Sequence, residues 1–333
     1  VSLMKKKLLG GLALALLLAG CGNSGDSDKE KTDDGKKTYK IGIIQQMEHP
    51  ALDSAREGLE KYLKGKSDAK FEITVKNAQG DNGTADTIAK QFVSEDVDLI
   101  YSIATNASQA AVNATGGTDI PVVFNAVTDG VEAKLVTSNE KPGGNVTGVS
   151  DAAPLEKQLE MIRELLPEAK KIGMIYNIGE VNGKLQVKQV EKLASKYNFK
   201  IVKKGVSATT EIATAAEQLA GDVDCIYNIT DNMVVSATAS ITDKANAKNI
   251  PVFAAEDGQM KAGLLASDSI SYEKLGEQAG SVAYDILVNG KKAGDIPVET
   301  AKDTTLYINK KVAEQLGIKI PDSLAERATF VEE

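Results

Sequence analysis

The 333-residue chain has no tryptophan, one histidine (His49), two cysteines and three arginines, and only 5% of its residues are aromatic. Each shortage excludes something. One histidine and two cysteines cannot build a Cys/His metal set. His49 could serve as a catalytic base only beside a nucleophile and an orienting acid, and no sequence feature singles out such partners. No enzyme activity, cofactor or metal is therefore expected. Arg56, Arg163 and Arg327 lie outside the loops singled out below, which argues against bidentate clamping of phosphate. Neither a Gly-rich dinucleotide fingerprint nor a phosphate-binding P-loop is present. Leu8 to Ala19 is an apolar run of twelve residues, too short to span a bilayer core of about 30 Å as a helix.

That run has a different meaning. Lys5-Lys6-Lys7 precede it, and Leu18-Ala19-Gly20-Cys21 close it in the manner of a lipobox. Residues 1–20 are expected to be a lipoprotein signal peptide, with Cys21 the acylated residue. Residues 22–37 contain no apolar side chain, so 21–38 is expected to be a solvated tether. Removing 1–20 takes away three lysines and no acid. The remainder then carries 36 basic against 47 acidic residues, a net −11. Such a surface does not suit nucleic acid, and attachment to a membrane would come from acyl chains. Cys225 sits in an apolar stretch and is expected to be a buried structural thiol.

Beyond the tether the chain repeats itself. Val97 to Asn106 (VDLIYSIATN) and Val223 to Asn232 (VDCIYNITDN) agree at six of ten positions. Lys40-Ile41-Gly42-Ile43-Ile44 recurs as Lys171-Ile172-Gly173-Met174-Ile175, and Ile120-Pro121-Val122-Val123-Phe124 as Ile250-Pro251-Val252-Phe253. The offsets are 131, 126 and 130 residues. Short apolar runs alternate with helical stretches, the pattern of parallel sheets with crossover helices. The expected fold is α/β, with two similar Rossmann-like lobes joined by hinge crossovers. One lobe would comprise 39–149 plus about 268–299, the other 150–267 plus about 300–333. Pro142 to Gly148 is expected to be a crossover between them.

Ligands in open parallel sheets sit beyond the carboxyl ends of the strands. In the first lobe this rule selects Gln46 and His49, then Ala104, Thr105 and Asn106, then Asn125, Thr128 and Asp129. In the second it selects Asn177 and Glu180, then Thr230, Asp231 and Asn232, then Glu256. The turn at Ala104-Thr105-Asn106 is uncharged. At a helix N-terminus it would favour an anion such as a carboxylate. At the matching point of the other lobe Asp231 could face an ammonium group, and the pair would describe a zwitterionic amino acid. The competing interpretation is that Thr105, Asn106, Asp231 and Asn232 are helix caps, which these residue types favour. For His49 a cap or hinge role competes with ligand contact; for Glu180 and Glu256, solvent competes with the site.

The lipobox at Cys21, the segments Gln46–Asp53, Ser102–Ala107, Phe124–Asp129, Asn145–Asp151 and Thr230–Asn232, and the doubled architecture together resemble one family. It is that of the substrate-binding lipoproteins of ABC importers with the class I periplasmic-binding-protein fold, in particular the tryptophan- or aromatic-amino-acid-binding branch. The resemblance implies a monomeric, extracytoplasmic, membrane-anchored protein that closes on an amino acid (tryptophan or phenylalanine) and delivers it to a membrane permease. It places Thr105 and Asn106 on the ligand's carboxylate and Asp231 on its amine. Few aromatic side chains occupy the selected loops. A neutral ligand such as a sugar, or a surface sensor, is the alternative.

Overall fold

The computed structural model describes residues 35–331. The signal-peptide and tether expectations, and Cys21, fall outside the described residues, apart from the last few tether positions. From the first strand onward, β1 (Thr38–Gln45) leads to α1 (Pro50–Lys64), β2 (Lys70–Asn77) to α2 (Asn82–Ser94), and β3 (Leu99–Ile103) to α3 (Thr105–Thr115). β4 (Val122–Val127) and β5 (Val146–Ser150) follow. The second half runs α4 (Leu155–Leu165), β6 (Lys171–Asn177), α5 (Val181–Ala194), β7 (Lys200–Val206), α6 (Ile212–Ala220), β8 (Cys225–Asn228), α7 (Asn232–Ser236), α8 (Thr238–Asn246), β9 (Val252–Ala254) and β10 (Ala266–Ser269). The chain ends with α9 (Tyr272–Leu287), β11 (Glu299–Thr300), β12 (Thr305–Asn309), α10 (Lys310–Gln315), α11 (Asp322–Ala325) and β13 (Ala328–Val331).

These strands form two sheets, ordered β11-β5-β4-β3-β1-β2 and β13-β12-β10-β9-β8-β6-β7. All pairings are parallel except β10 with β12. Successive strand side chains point to opposite faces, so each strand feeds two cores. In the first sheet Ile41, Ile43, Leu99 and Tyr101 pack under α1 and α9, whereas Ile44 and Ile100 pack with α2 and α3. In the second, Ile172 and Tyr227 face α4 and α5, and Ile175 and Ile226 face α6 and α8. The α1–α9 contact depends on glycine. A Cβ at Gly58 would lie 2.2 Å from the Glu273 carbonyl oxygen, and one at Gly276 would lie 2.3 Å from that of Ala55.

Two features were not anticipated from sequence. Val146–Ser150 lies within what the glycines at 143 and 144 suggest is a crossover, yet it is a fully buried strand paired with β4. The second half also carries the α7–α8 pair, where the first half has α3 alone. Tyr101 and Tyr227 are buried in equivalent strands. Tyr101 donates to the Ala55 carbonyl and accepts from Asn125 Nδ2, and Tyr227 donates to Gln158.

Loops at the carboxyl ends of the two sheets touch. His49, before α1, lies 3.0 Å from Asn232 at the start of α7, and Asn106 Nδ2 reaches the Gly179 carbonyl at 3.3 Å. Gly258, in a helical turn over 257–262, packs against Pro50 and Ala51. Among the described residues, no helix is long and apolar enough to cross a membrane.

Candidate functional site

The β3–α3 turn is built open. Ala104 stands at the N-cap of α3 with φ of 82°, a strained value for a residue with a side chain, and it has no side-chain acceptor for the first turn. The first backbone N–H groups of a helix lack intrahelical partners and carry partial positive charge. Beside them Thr105 Oγ1 is buried and has no hydrogen-bond partner. Asn106 and Gln46 both donate to Asn82 Oδ1, at 3.0 and 3.3 Å, and Gln46 Oε1 is left buried and unpartnered. Thr105 Oγ1, which can donate, and Gln46 Oε1, which can only accept, are the buried polar atoms left over here.

The matching β8–α7 turn is closed by its own lobe. Asp231 is fully buried; one carboxylate oxygen accepts Val234 N–H at 3.2 Å and the other accepts Asn177 N–H at 2.6 Å. A Cβ at Gly183 would lie 2.3 Å from that second oxygen, so α5 walls the carboxylate in. Burial, and the nearby charge of Glu180, push the Asp231 carboxyl well above its ordinary range. Glu180 completes the plug: its oxygens accept Asn232 N–H at 2.9 Å, Met233 N–H at 3.0 Å and the Asn232 and Asn182 amides. This geometry fits the capping role for Asp231 and Glu180.

Several other selected loop residues are also engaged locally. Asn125 is fully buried, bonded to Tyr101 and to Ala126 N–H, and Asp129 caps a turn through Val131 and Glu132 N–H. Asn177 accepts Gly179 N–H. Thr128 is buried, its carbonyl holding Ser150 Oγ. Thr230 N–H donates to Gln186 Oε1, while its buried Oγ1 has no partner.

Glu256 belongs to a different cluster. It is buried after β9, accepts Gly258 N–H at 2.7 Å, and leaves Oε1 without a partner. Asp151, the residue after β5, is also buried; it accepts the Tyr272 hydroxyl at 2.7 Å and leaves Oδ1 bare. Burial raises Glu256 to about 7 and Asp151 to about 6, and the charge of Asp151 adds to the shift on Glu256. Asp257 is pushed up as well, again by burial first. Neither Asp151 nor Glu256 has an ion-pair partner among the described residues, in contrast to the buried Asp268, which faces Arg327 at 3.0 Å. Buried uncompensated carboxyls are costly and mark a place for a cation. Asp151 and Tyr272 escaped the sequence reading. Asp151 follows a strand taken for a crossover, and Tyr272 opens a helix with no counterpart in the repeat.

The two ends are close. β5 and β3 flank β4, so their carboxyl ends lie two strand spacings apart, about 10 Å. Two charge-assisted hydrogen bonds of about 2.8 Å fill more than half of that span. The remainder suits the short separation between the carboxylate and ammonium of an α-amino acid. Among the described residues, no cluster of His, Cys, Asp and Glu has the makings of a metal site.

Comparison with known proteins identifies the family. The family model for ABC transporter substrate binding proteins matches residues 40–332. A tyrosine-binding protein of Clostridioides difficile is 44% identical over 318 residues, covering 94% of this chain and 91% of the relative. The structure of a Streptococcus pneumoniae ABC domain in complex with L-Trp superposes with a TM-score of 0.85 at 35% identity, over 89% of this chain and 100% of that one. A ligand-free, open substrate binding protein with adhesive properties from Clostridium difficile gives 0.68 at 42% identity, over 88% and 99%. The superposition is better with the L-Trp complex than with the ligand-free, open structure, although the identity is lower.

Proposed function

The chain belongs to the ABC transporter substrate-binding protein family, and we propose that it captures an aromatic α-amino acid, with tyrosine and tryptophan the first candidates, between its closing lobes. The observation that carries this is the pairing of an open helix N-terminus at Thr105 with an uncompensated buried carboxyl at Asp151, about two strands away in the same sheet, and a second at Glu256, near enough to Asp151 to feel its charge. The ligand carboxylate would sit on the first turn of α3 and on Thr105 Oγ1; the ammonium would sit on Asp151 and Glu256. The tyrosine-binding and L-Trp-bound relatives support the aromatic side chain. A neutral sugar would leave both carboxyls unpaired, which disfavours it.

Capture follows from linkage. A ligand that touches both lobes binds the closed form better and shifts the population toward it. The closed form would then dock, as a monomer, on its membrane permease. We also propose acylation of Cys21, which would hold the protein at the outer face of the membrane through the tether. Retention of the Cys21→Ser variant in the membrane fraction would contradict the anchor.

The chain has no tryptophan, so bound L-tryptophan can be followed by its own emission. Calorimetry against L-tyrosine, L-tryptophan and L-phenylalanine, with the N-acetyl and amide derivatives as controls, tests the assignment. Binding of the free amino acids and loss with either derivative is expected. No heat with any amino acid would overturn it.

A further inference from the structure

The hydrogen bond between His49 and Asn232 joins the two lobes without touching the groups assigned above to the ligand. His49 precedes α1 in the first lobe; Asn232 opens α7 in the second; both are buried. The chemistry fixes the direction of the bond. Glu180 Oε2 already accepts the Asn232 backbone N–H, and the Asn232 amide turns its nitrogen toward the same oxygen, at 2.9 Å. Asn232 Oδ1 is thereby aimed across the cleft at His49 Nε2, 3.0 Å away. The imidazole must carry its proton on Nε2, and the buried, unpartnered Nδ1 is a bare acceptor. Glu180 is in turn locked by Asn182 and by the first N–H groups of α7. The second lobe thus holds a rigid acceptor in place before the lobes meet. In the open form the same groups would be solvated and the bond absent.

We propose that His49 is a positioning residue for capture: with Asn232 it forms a clasp that holds the lobes closed independently of the ligand. The clasp adds to closed-state stability whatever amino acid is bound. It rests on the closing-lobe function proposed above but not on the identity of the ligand. Removing it lowers affinity through faster dissociation, because the closed complex reopens more often, by about three- to tenfold for one hydrogen bond.

The test separates the clasp from ligand contact by using protein freed of ligand through unfolding and refolding. Small-angle scattering of this ligand-free chain is compared for wild type, His49→Ala, Asn232→Ala and the double variant. The wild type is expected to contain a closed population that both single variants lose. The double variant should be no more open than either single one, since the two side chains act as one bond. His49→Gln, which keeps an amide donor, should restore part of the closed population, whereas a purely structural role for the ring would leave it as impaired as alanine. A ligand-free wild type as open as His49→Ala, or additive losses in the double variant, would overturn the clasp. Failure of the amino-acid assignment alone would leave these scattering results unchanged.

Discussion

The β3–α3 and β8–α7 turns arise from nearly the same ten residues and have opposite finishes. At the first, Ala104 offers no cap and the helix end stays available, at the cost of a strained φ of 82°. At the second, Asp231 and Glu180 fill the helix end from within the lobe. In the site proposed here the duplicated strand-and-turn serves as a ligand port in one lobe, while in the other its carboxylate at Asp231 is taken up by backbone N–H groups of its own lobe. The proposed partners of the ammonium are Asp151 and Glu256.

Breaking the Asp151–Glu256 side should have the largest effect. Asp151→Asn or Glu256→Gln removes a partner of the buried ammonium and should weaken binding by about 2–5 kcal/mol, measured by calorimetry. Thermal melting of the ligand-free protein should not fall, because an uncompensated buried acid has been neutralised.

The same two carboxyls impose a pH dependence. Their values in the ligand-free protein are raised, Glu256 to about 7 and Asp151 to about 6. A bound ammonium favours the ionised forms and lowers both values, so binding releases protons. Affinity should be fully present above pH 7 and fall as pH drops through 7 and then 6, by up to about tenfold per unit for each group. A titration series from pH 8 to 5 checks this, and a flat profile would remove both carboxyls from the site.

On the Asp231 side the consequence is for stability. Asp231→Ala strips the cap of α7 and should cost about 0.5–2 kcal/mol in urea unfolding, with affinity changed little. Smallest of all, Thr105→Val removes one hydroxyl from the open turn while keeping its shape. Affinity for the free amino acid should drop by about 1 kcal/mol, with no change in melting temperature.

Much of the fold was legible because repeats and apolar runs follow from burial. Lys40–Ile44 and Lys171–Ile175 occupy equivalent places in the two sheets, and the helix at 272 begins where its pattern begins. β5 was not legible: Gly143 and Gly144 mask a five-residue buried strand. That omission hid Asp151, since the carboxyl-end rule applies only to recognised strands. Glu256 was selected by the rule. Whether an acid faces a ligand or its own backbone depends on neighbours such as Gly183, which no local pattern in Thr230-Asp231-Asn232 reveals.

The most direct measurement is calorimetric titration of L-tyrosine into Glu256→Gln and Asp231→Asn side by side. Affinity should collapse by thirtyfold or more, the lower end of about 2–5 kcal/mol, in Glu256→Gln and stay within about threefold of wild type, under about 1 kcal/mol, in Asp231→Asn. Loss confined to Asp231→Asn, with Glu256→Gln binding normally, would contradict the assignment of the ammonium to Asp151 and Glu256.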